Sequence, residues 1–121
     1  MDLARLDDAV AQLQERMGAA LLALDIWSTH TGLSVAGFGL TPAAGPMLQR
    51  ATHDLRRAAA SAGAQLDGYH VLTLSGGHVA VVAGEALDAA FLMPAEVDLG
   101  WVLADVIPNF TESLNAASAG H

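Results

Sequence analysis

The chain of 121 residues contains no cysteine and no lysine, and each absence removes a class of chemistry. Without cysteine there is no disulfide framework, thiolate metal site or cysteine nucleophile. Without lysine there is no Schiff-base catalysis and no P-loop lysine for phosphate. The five positive side chains are all arginines, and 13 acidic residues outnumber them to give a net charge of −8. So few cations cannot build the basic patch that a nucleic acid or an anionic membrane surface would require.

The sequence also lacks the marks of a secretory leader or a membrane span. Its start is acidic from Asp2 onward, whereas a secretory signal begins with a positive segment that leads into an apolar one. The longest stretch without a formal charge, 26–49, is broken by four glycines and two prolines, so it cannot form an apolar spanning helix. We therefore expect a cytoplasmic protein, and the length fits a single domain over 1–121.

In the first half of the chain, apolar spacing predicts two helices separated by a hairpin. Residues 2–17 place leucines and other apolar side chains three and four apart, which is typical of an amphipathic helix. The continuous apolar run 19–27 and the alternating run 33–38 predict two paired strands. A second helix starts at Thr41 or at Gly45 and extends to about Ala62.

In the second half, 68–84 is the clearest hairpin of the sequence. With Gly76-Gly77 as its turn, Leu72 would lie opposite Val81 and Leu74 opposite Val79. A fifth strand follows over 86–93, and a last helix starts near Asp98 and is kinked by Pro108 or split there, around Ile107. The element order α-β-β-α-β-β-β-α predicts an α+β fold, a five-stranded antiparallel sheet with helices on both faces.

No group of side chains in the sequence forms a recognisable catalytic or metal site. His70 and His78 are the nearest plausible metal-binding pair, but the predicted hairpin separates them by roughly 17 Å along the strands, too far to share one ion. Asp25 lies inside an apolar strand, where it is either a desolvated acid with a chemical role or, as we favour, a side chain that points outward or bonds a backbone amide. We expect no enzyme activity, no cofactor and no metal.

Three stretches resemble the roadblock/LC7 family, whose fold is related to profilin and longin domains. Residues 20–25 followed by Thr31-Gly32-Leu33-Ser34-Val35-Ala36 resemble its first hairpin, 71–82 resemble its later hairpin, and 97–100 resemble the approach to its closing helix. The element order is also that of the family. Thr31 departs from the acidic residue often found there, and Pro108 is a second departure.

The resemblance implies a non-enzymatic scaffold that forms a homodimer and binds a small Ras-like GTPase or a motor component. In such proteins the third strand and second helix make the dimer, joining two sheets edge to edge. The corresponding residues here are Leu48, Ala51, Leu55, Ala58 and Ala62 on the helix, and Tyr69, Val71, Thr73 and Ser75 on the strand. The strand is uncharged and the helix stripe is mostly small, which suits close association. Alternatively, these residues pack within one chain, the helix stripe facing inward.

A second interpretation is a profilin-like sensor or small-ligand module. Its pocket would lie near Trp27 and Phe38, the two aromatic residues that border the first hairpin's turn and end. We expect Trp27 to be partly exposed, because it stands beside Asp25 and a polar turn.

Overall fold

The structure, a computed structural model, describes residues 1–39, 44–65 and 68–119. Its elements in chain order are α1 (Leu3–Met17), β1 (Ala23–Ser28), β2 (Ser34–Phe38), α2 (Ala44–Ser61), β3 (Tyr69–Leu74), β4 (Gly77–Ala83), β5 (Leu87–Pro94), α3 (Leu99–Trp101), a π-helical turn (Val102–Val106) and α4 (Ile107–Ala119). The last three form one continuous helix, called here the closing helix. The predicted order of helices and strands is confirmed. One of the two predicted starts of the second helix, Thr41, lies outside the described residues.

The five strands form one antiparallel sheet in the order β2-β1-β5-β4-β3. In the described part of the chain, β2 and β3 are therefore the two edge strands. The helix α1 and the closing helix pack on one face of the sheet, called here the helix-pair face, and α2 lies on the other, called here the α2 face. The predicted sheet with helices on both faces is thus confirmed.

The main core fills the space between the sheet and the helix pair. Buried leucines of α1 pack there against β4, β5 and the closing helix. The rings of Phe91 and Phe110 meet edge to face at a centroid distance of 6.0 Å. Local chemistry marks the ends of α1: the side chain of Asp2 accepts a hydrogen bond from the Arg5 amide, and Gly18 has a φ of 55°.

The closing helix absorbs Pro108 in a way that the sequence did not predict. Proline has no backbone N–H to donate to the carbonyl four residues earlier, and the predicted result was a kink or a split around Ile107. The structure shows a feature that this prediction did not contain: the helix widens into the π-helical turn Val102–Val106 just before the proline and then continues as α4. The buried side chains of this helix all stay on the core: Val102, Val106, Ile107, Phe110, Leu114 and Ala117.

The register of the β3–β4 hairpin differs from the predicted one by two residues. The turn is Ser75-Gly76, and Leu74 pairs with Gly77 while Leu72 pairs with Val79. Gly77 lies in β4 rather than in the turn because β5 passes so close that a Cβ there would collide with the Met93 carbonyl oxygen. A shift of two residues keeps every side chain on its predicted face of the sheet.

In this register His78 pairs with Thr73, whose hydroxyl lies 3.1 Å from its Nδ1. His70 pairs with Val81, and the alternation of side chains puts the two histidines on opposite faces. They are therefore not a metal-binding pair. In the described ranges, no helix is long and apolar enough to cross a membrane.

Candidate interaction surface

The α2 face of the sheet carries a small apolar cluster beneath a single helix. Its buried members are Trp27, Val79, Val81 and Ala90, against which Leu48 and Leu92 pack. Polar side chains occupy the rest of the contact between α2 and the sheet. This apolar cluster therefore has far fewer buried members than the core on the helix-pair face.

The orientation of α2 differs from the inward stripe considered from the sequence. Thr52 is fully buried and its hydroxyl donates to the Leu48 carbonyl at 2.9 Å, so this side of the helix faces the sheet. Of the predicted stripe, only Leu48 packs there. The other members point to solvent: Ala51, Leu55, Ala58 and Ala62 are exposed. The helix therefore presents a row of alanines, with Leu55 39% exposed, on its outer side.

An ion pair fixes this orientation of α2. The guanidinium of Arg56 lies 3.4 and 3.5 Å from the two carboxylate oxygens of Asp88 on β5. Asp88 is buried and also accepts a hydrogen bond from the Gly84 amide at 3.2 Å. A buried carboxylate needs such partners, and Arg56 can reach it only if this side of α2 faces the sheet.

His70 on β3 lies on the same face of the sheet as Asp88, the face that α2 covers. Its Nε2 atom is buried and has no hydrogen-bond partner among the described residues. Burial lowers the pKa of His70, and the positive charge of Arg56 lowers it further. We refer to these three residues as the Arg56–Asp88–His70 cluster.

The edge strand β3 exposes apolar side chains on the same face as α2. Leu72 and Leu74 are 38% and 51% exposed. They alternate with the predicted interface residues Tyr69 and Thr73, which are exposed on the helix-pair side, and with Val71, which is half-buried against the main core. Ser75 lies in the turn and is exposed.

Leu72 and Leu74 were not among the interface residues chosen from the sequence, although strand alternation places the two on one face. They share a face with α2, whereas the odd-numbered residues that were chosen point to the other side. The exposed stripe of α2 (Ala51, Leu55, Ala58, Ala62) and the β3 leucines (Leu72, Leu74) are called here the α2–β3 surface.

The structure places Trp27 and Phe38, the two residues considered for a ligand pocket, on opposite faces of the sheet. Trp27 is only 1% exposed and belongs to the cluster below α2, so the expectation of partial exposure was wrong. Phe38 pairs with Leu24, which points into the main core, so Phe38 lies on the helix-pair face, whereas Trp27 lies on the α2 face. Trp27 is buried despite its polar neighbours because its ring packs in the apolar cluster below α2, to which Leu48 of that helix belongs.

Asp25 satisfies its carboxylate within the first hairpin. It is nearly buried and accepts a hydrogen bond of 2.5 Å from the hydroxyl of Ser34 on β2. The sequence interpretation favoured a side chain that points outward or bonds a backbone amide. The structure shows instead a nearly buried carboxylate that is bonded by a side-chain hydroxyl. Among the residues that the structure describes, no three histidine or acidic side chains are grouped to hold a metal ion.

Neither protein-family models nor curated protein sequences match this chain. Solved structures do match it. The roadblock/LC7 domain from Streptomyces avermitilis superposes with a TM-score of 0.67 over 91% of this chain and 94% of that domain, at 20% identity. The chain has the roadblock/LC7 fold.

Two further solved structures are similar to this chain in fold. The gliding protein MglB from Thermus thermophilus has a TM-score of 0.70, with 18% identity over 97% of this chain and 93% of that one. Profilin IA from Acanthamoeba castellanii has a TM-score of 0.58, with 21% identity over 92% and 97%. The relation to profilins that the sequence resemblance implied is thereby confirmed at the level of fold.

One glycine of the roadblock/LC7-like stretch has a clear structural role. Gly32 has a φ of 74°, which an L side chain rarely adopts, and a Cβ there would lie 2.9 Å from the side-chain amide of Gln49 on α2. The glycine therefore lets the β1–β2 loop approach the first half of α2. This contact, together with Arg56, positions the helix that carries much of the α2–β3 surface.

Proposed function

We propose that the protein is a non-enzymatic homodimeric scaffold that binds a small Ras-like GTPase or a similar protein partner. The observation that carries the proposal is the α2–β3 surface. Its exposed leucines and its row of alanines lie on the α2 side of the sheet, and they adjoin the uncharged edge strand β3.

The chemistry of β3 favours pairing with another strand. Edge strands that stay unpaired are usually protected by charged side chains, proline or bulges. The six residues of β3 contain no charge and no proline, and the β3–β4 pairing has no bulge. Two copies related by a two-fold axis could pair their β3 strands and bring Leu72 and Leu74 of both chains beneath the two α2 helices.

The distribution of charge also suits self-association through α2. A chain with a net charge of −8 repels its own copy. However, α2 contains three arginines and a single acidic residue, Asp54, so the acidic excess lies elsewhere on the chain. The exposed alanines allow two such helices to approach closely, which large side chains would prevent.

The GTPase part of the proposal is supported by the sequence resemblance to roadblock/LC7 proteins. Fold alone is a weak guide to function, so this part needs its own test. The scaffold part depends on the α2–β3 surface and can be tested separately.

The dimer is tested by light scattering after size exclusion. We expect a particle of twice the chain mass of 12.4 kDa. Leu74→Arg should give a folded monomer, because the substitution places two like charges at the joined edges and buries them without partners. Leu33→Arg is the matched control, since Leu33 is 68% exposed and precedes the opposite edge strand β2. A monomeric wild type, or a Leu74→Arg variant as dimeric as the control, would refute the interface.

The partner is tested by affinity capture from the native cell extract with wild type and Leu74→Arg as parallel baits. Mass spectrometry should find a Ras-like GTPase with the wild-type bait. Recovery of other proteins without any such GTPase would overturn the GTPase part while leaving the dimer intact.

A further inference from the structure

We propose that His70 is a proton-sensitive control of the dimer, so that protonation of its ring dissociates the two chains. This inference rests on the proposed homodimer and identifies how that same interface is regulated. His70 belongs to the Arg56–Asp88–His70 cluster, which lies between the two elements that form the α2–β3 surface.

The position of His70 makes the protonation of its ring depend on both β3 and α2. It sits on the edge strand β3, on the face toward α2, with Leu72 next on that face of the strand and Val81 opposite on β4. Its ring nitrogen Nε2 is buried without an acceptor in the described part of the chain. Pairing of two β3 strands would cover this ring further.

The charged groups around His70 do not accommodate a second cation. From α2 the nearby charge is Arg56. The acidic residue of β5 on this face is Asp88, which lies opposite Ala83 rather than beside His70 and whose two oxygens are both engaged by that arginine. The described β4 residues on this face, Val79 and Val81, are apolar and buried. A protonated His70 would therefore stand beside a guanidinium, and its Nε2–H would have no ready acceptor.

The sign of the effect follows from linkage. Burial and Arg56 lower the pKa of His70 below its ordinary value of 6.5, so the folded arrangement prefers the neutral ring. The stabilisation by the neutral ring is complete at pH values above the ordinary pKa of 6.5. It is lost as the pH falls from that value through the lowered pKa of the folded protein. If the dimer buries the ring more, association favours the neutral form further, and acidic pH favours separate chains.

The test is the dimer dissociation constant, measured by sedimentation equilibrium at about pH 7.5 and about pH 5.5, on either side of the histidine range. The wild-type constant should rise at the lower pH. His70→Gln, which keeps a neutral polar side chain, should lose that rise. His53→Gln, on an exposed position of α2, should behave as wild type.

The outcomes separate this inference from the proposed function. A monomer at about pH 7.5 would overturn the dimer itself. A dimer with the same dissociation constant at both pH values, or a rise retained in His70→Gln, would overturn only the role of His70.

A second measurement requires no substitution. Proton titration of the His70 ring by NMR should give a lower pKa at a protein concentration where the dimer forms than at one where it is dissociated. An identical pKa at both concentrations would refute the inference.

Discussion

The two residues of the Arg56–Asp88 ion pair should differ in how much stability is lost when each is replaced. The Asp88 side chain is 4% exposed, whereas that of Arg56 is 41% exposed. If Arg56 is replaced by methionine, a buried carboxylate keeps only the Gly84 amide as a partner. If Asp88 is replaced by asparagine, the arginine can extend into water. We therefore expect Arg56→Met to be the more damaging change.

The size of this difference can be worked out from the burial of each group. Removing one partner of a fully buried pair costs about 3–5 kcal/mol, but the exposure of Arg56 reduces the loss to about 2–3 kcal/mol. Asp88→Asn loses two long charge-assisted contacts and should cost about 1 kcal/mol. The double variant should be no less stable than Arg56→Met alone, because it leaves no buried charge without a partner.

The assay is urea unfolding at neutral pH and fixed protein concentration, followed by the fluorescence of the two tryptophans, the buried Trp27 and the half-buried Trp101. The matched control is Arg50→Met on the same helix. Arg50 pairs with Asp54 at 3.7 Å, but both side chains are exposed, so the loss should stay below about 1 kcal/mol. If Arg56→Met cost no more than this control, or if the two cluster substitutions were additive, the argument for a buried pair that orients α2 would fail.

Three further predictions concern the core and the absence of a metal. Gly77→Ala should lower the melting temperature sharply, since its Cβ would collide with the Met93 carbonyl oxygen, and an unchanged temperature would show that β5 can move away. Phe110→Ala should cost about 3–5 kcal/mol in chemical unfolding because it removes a buried ring from the main core; a loss below that range would mean that the core collapses around the gap. A chelator should leave thermal unfolding unchanged, and a marked drop in the melting temperature would reveal a structural metal.

Much of the fold follows from short-range patterns in the sequence. The spacing of apolar residues in 2–17 reports which side of α1 is buried, and Asp2 and Gly18 mark the ends of that helix through local backbone chemistry. These signals are carried by neighbouring residues, so they could be interpreted without knowing the tertiary structure.

What the sequence could not predict depends on distant contacts. Gly77 belongs to β4 rather than to the turn because of Met93 on β5. The orientation of α2 was ambiguous, since alanines occur on several sides of the helix and hydrophobic periodicity distinguishes them poorly. The deciding contact joins Arg56 to Asp88, 32 residues away in the chain.

The π-helical turn in the closing helix has a consequence for chain length. It holds one residue more than an α-helical turn would need to bring Val102 and Ile107 onto the same buried side. The segment after it, with Phe110 and Leu114, keeps its alignment with α1 in spite of that additional residue. The packing of the helix pair therefore does not depend on this additional residue. A chain one residue shorter, with another residue in place of Pro108, could build the same core with a regular helix.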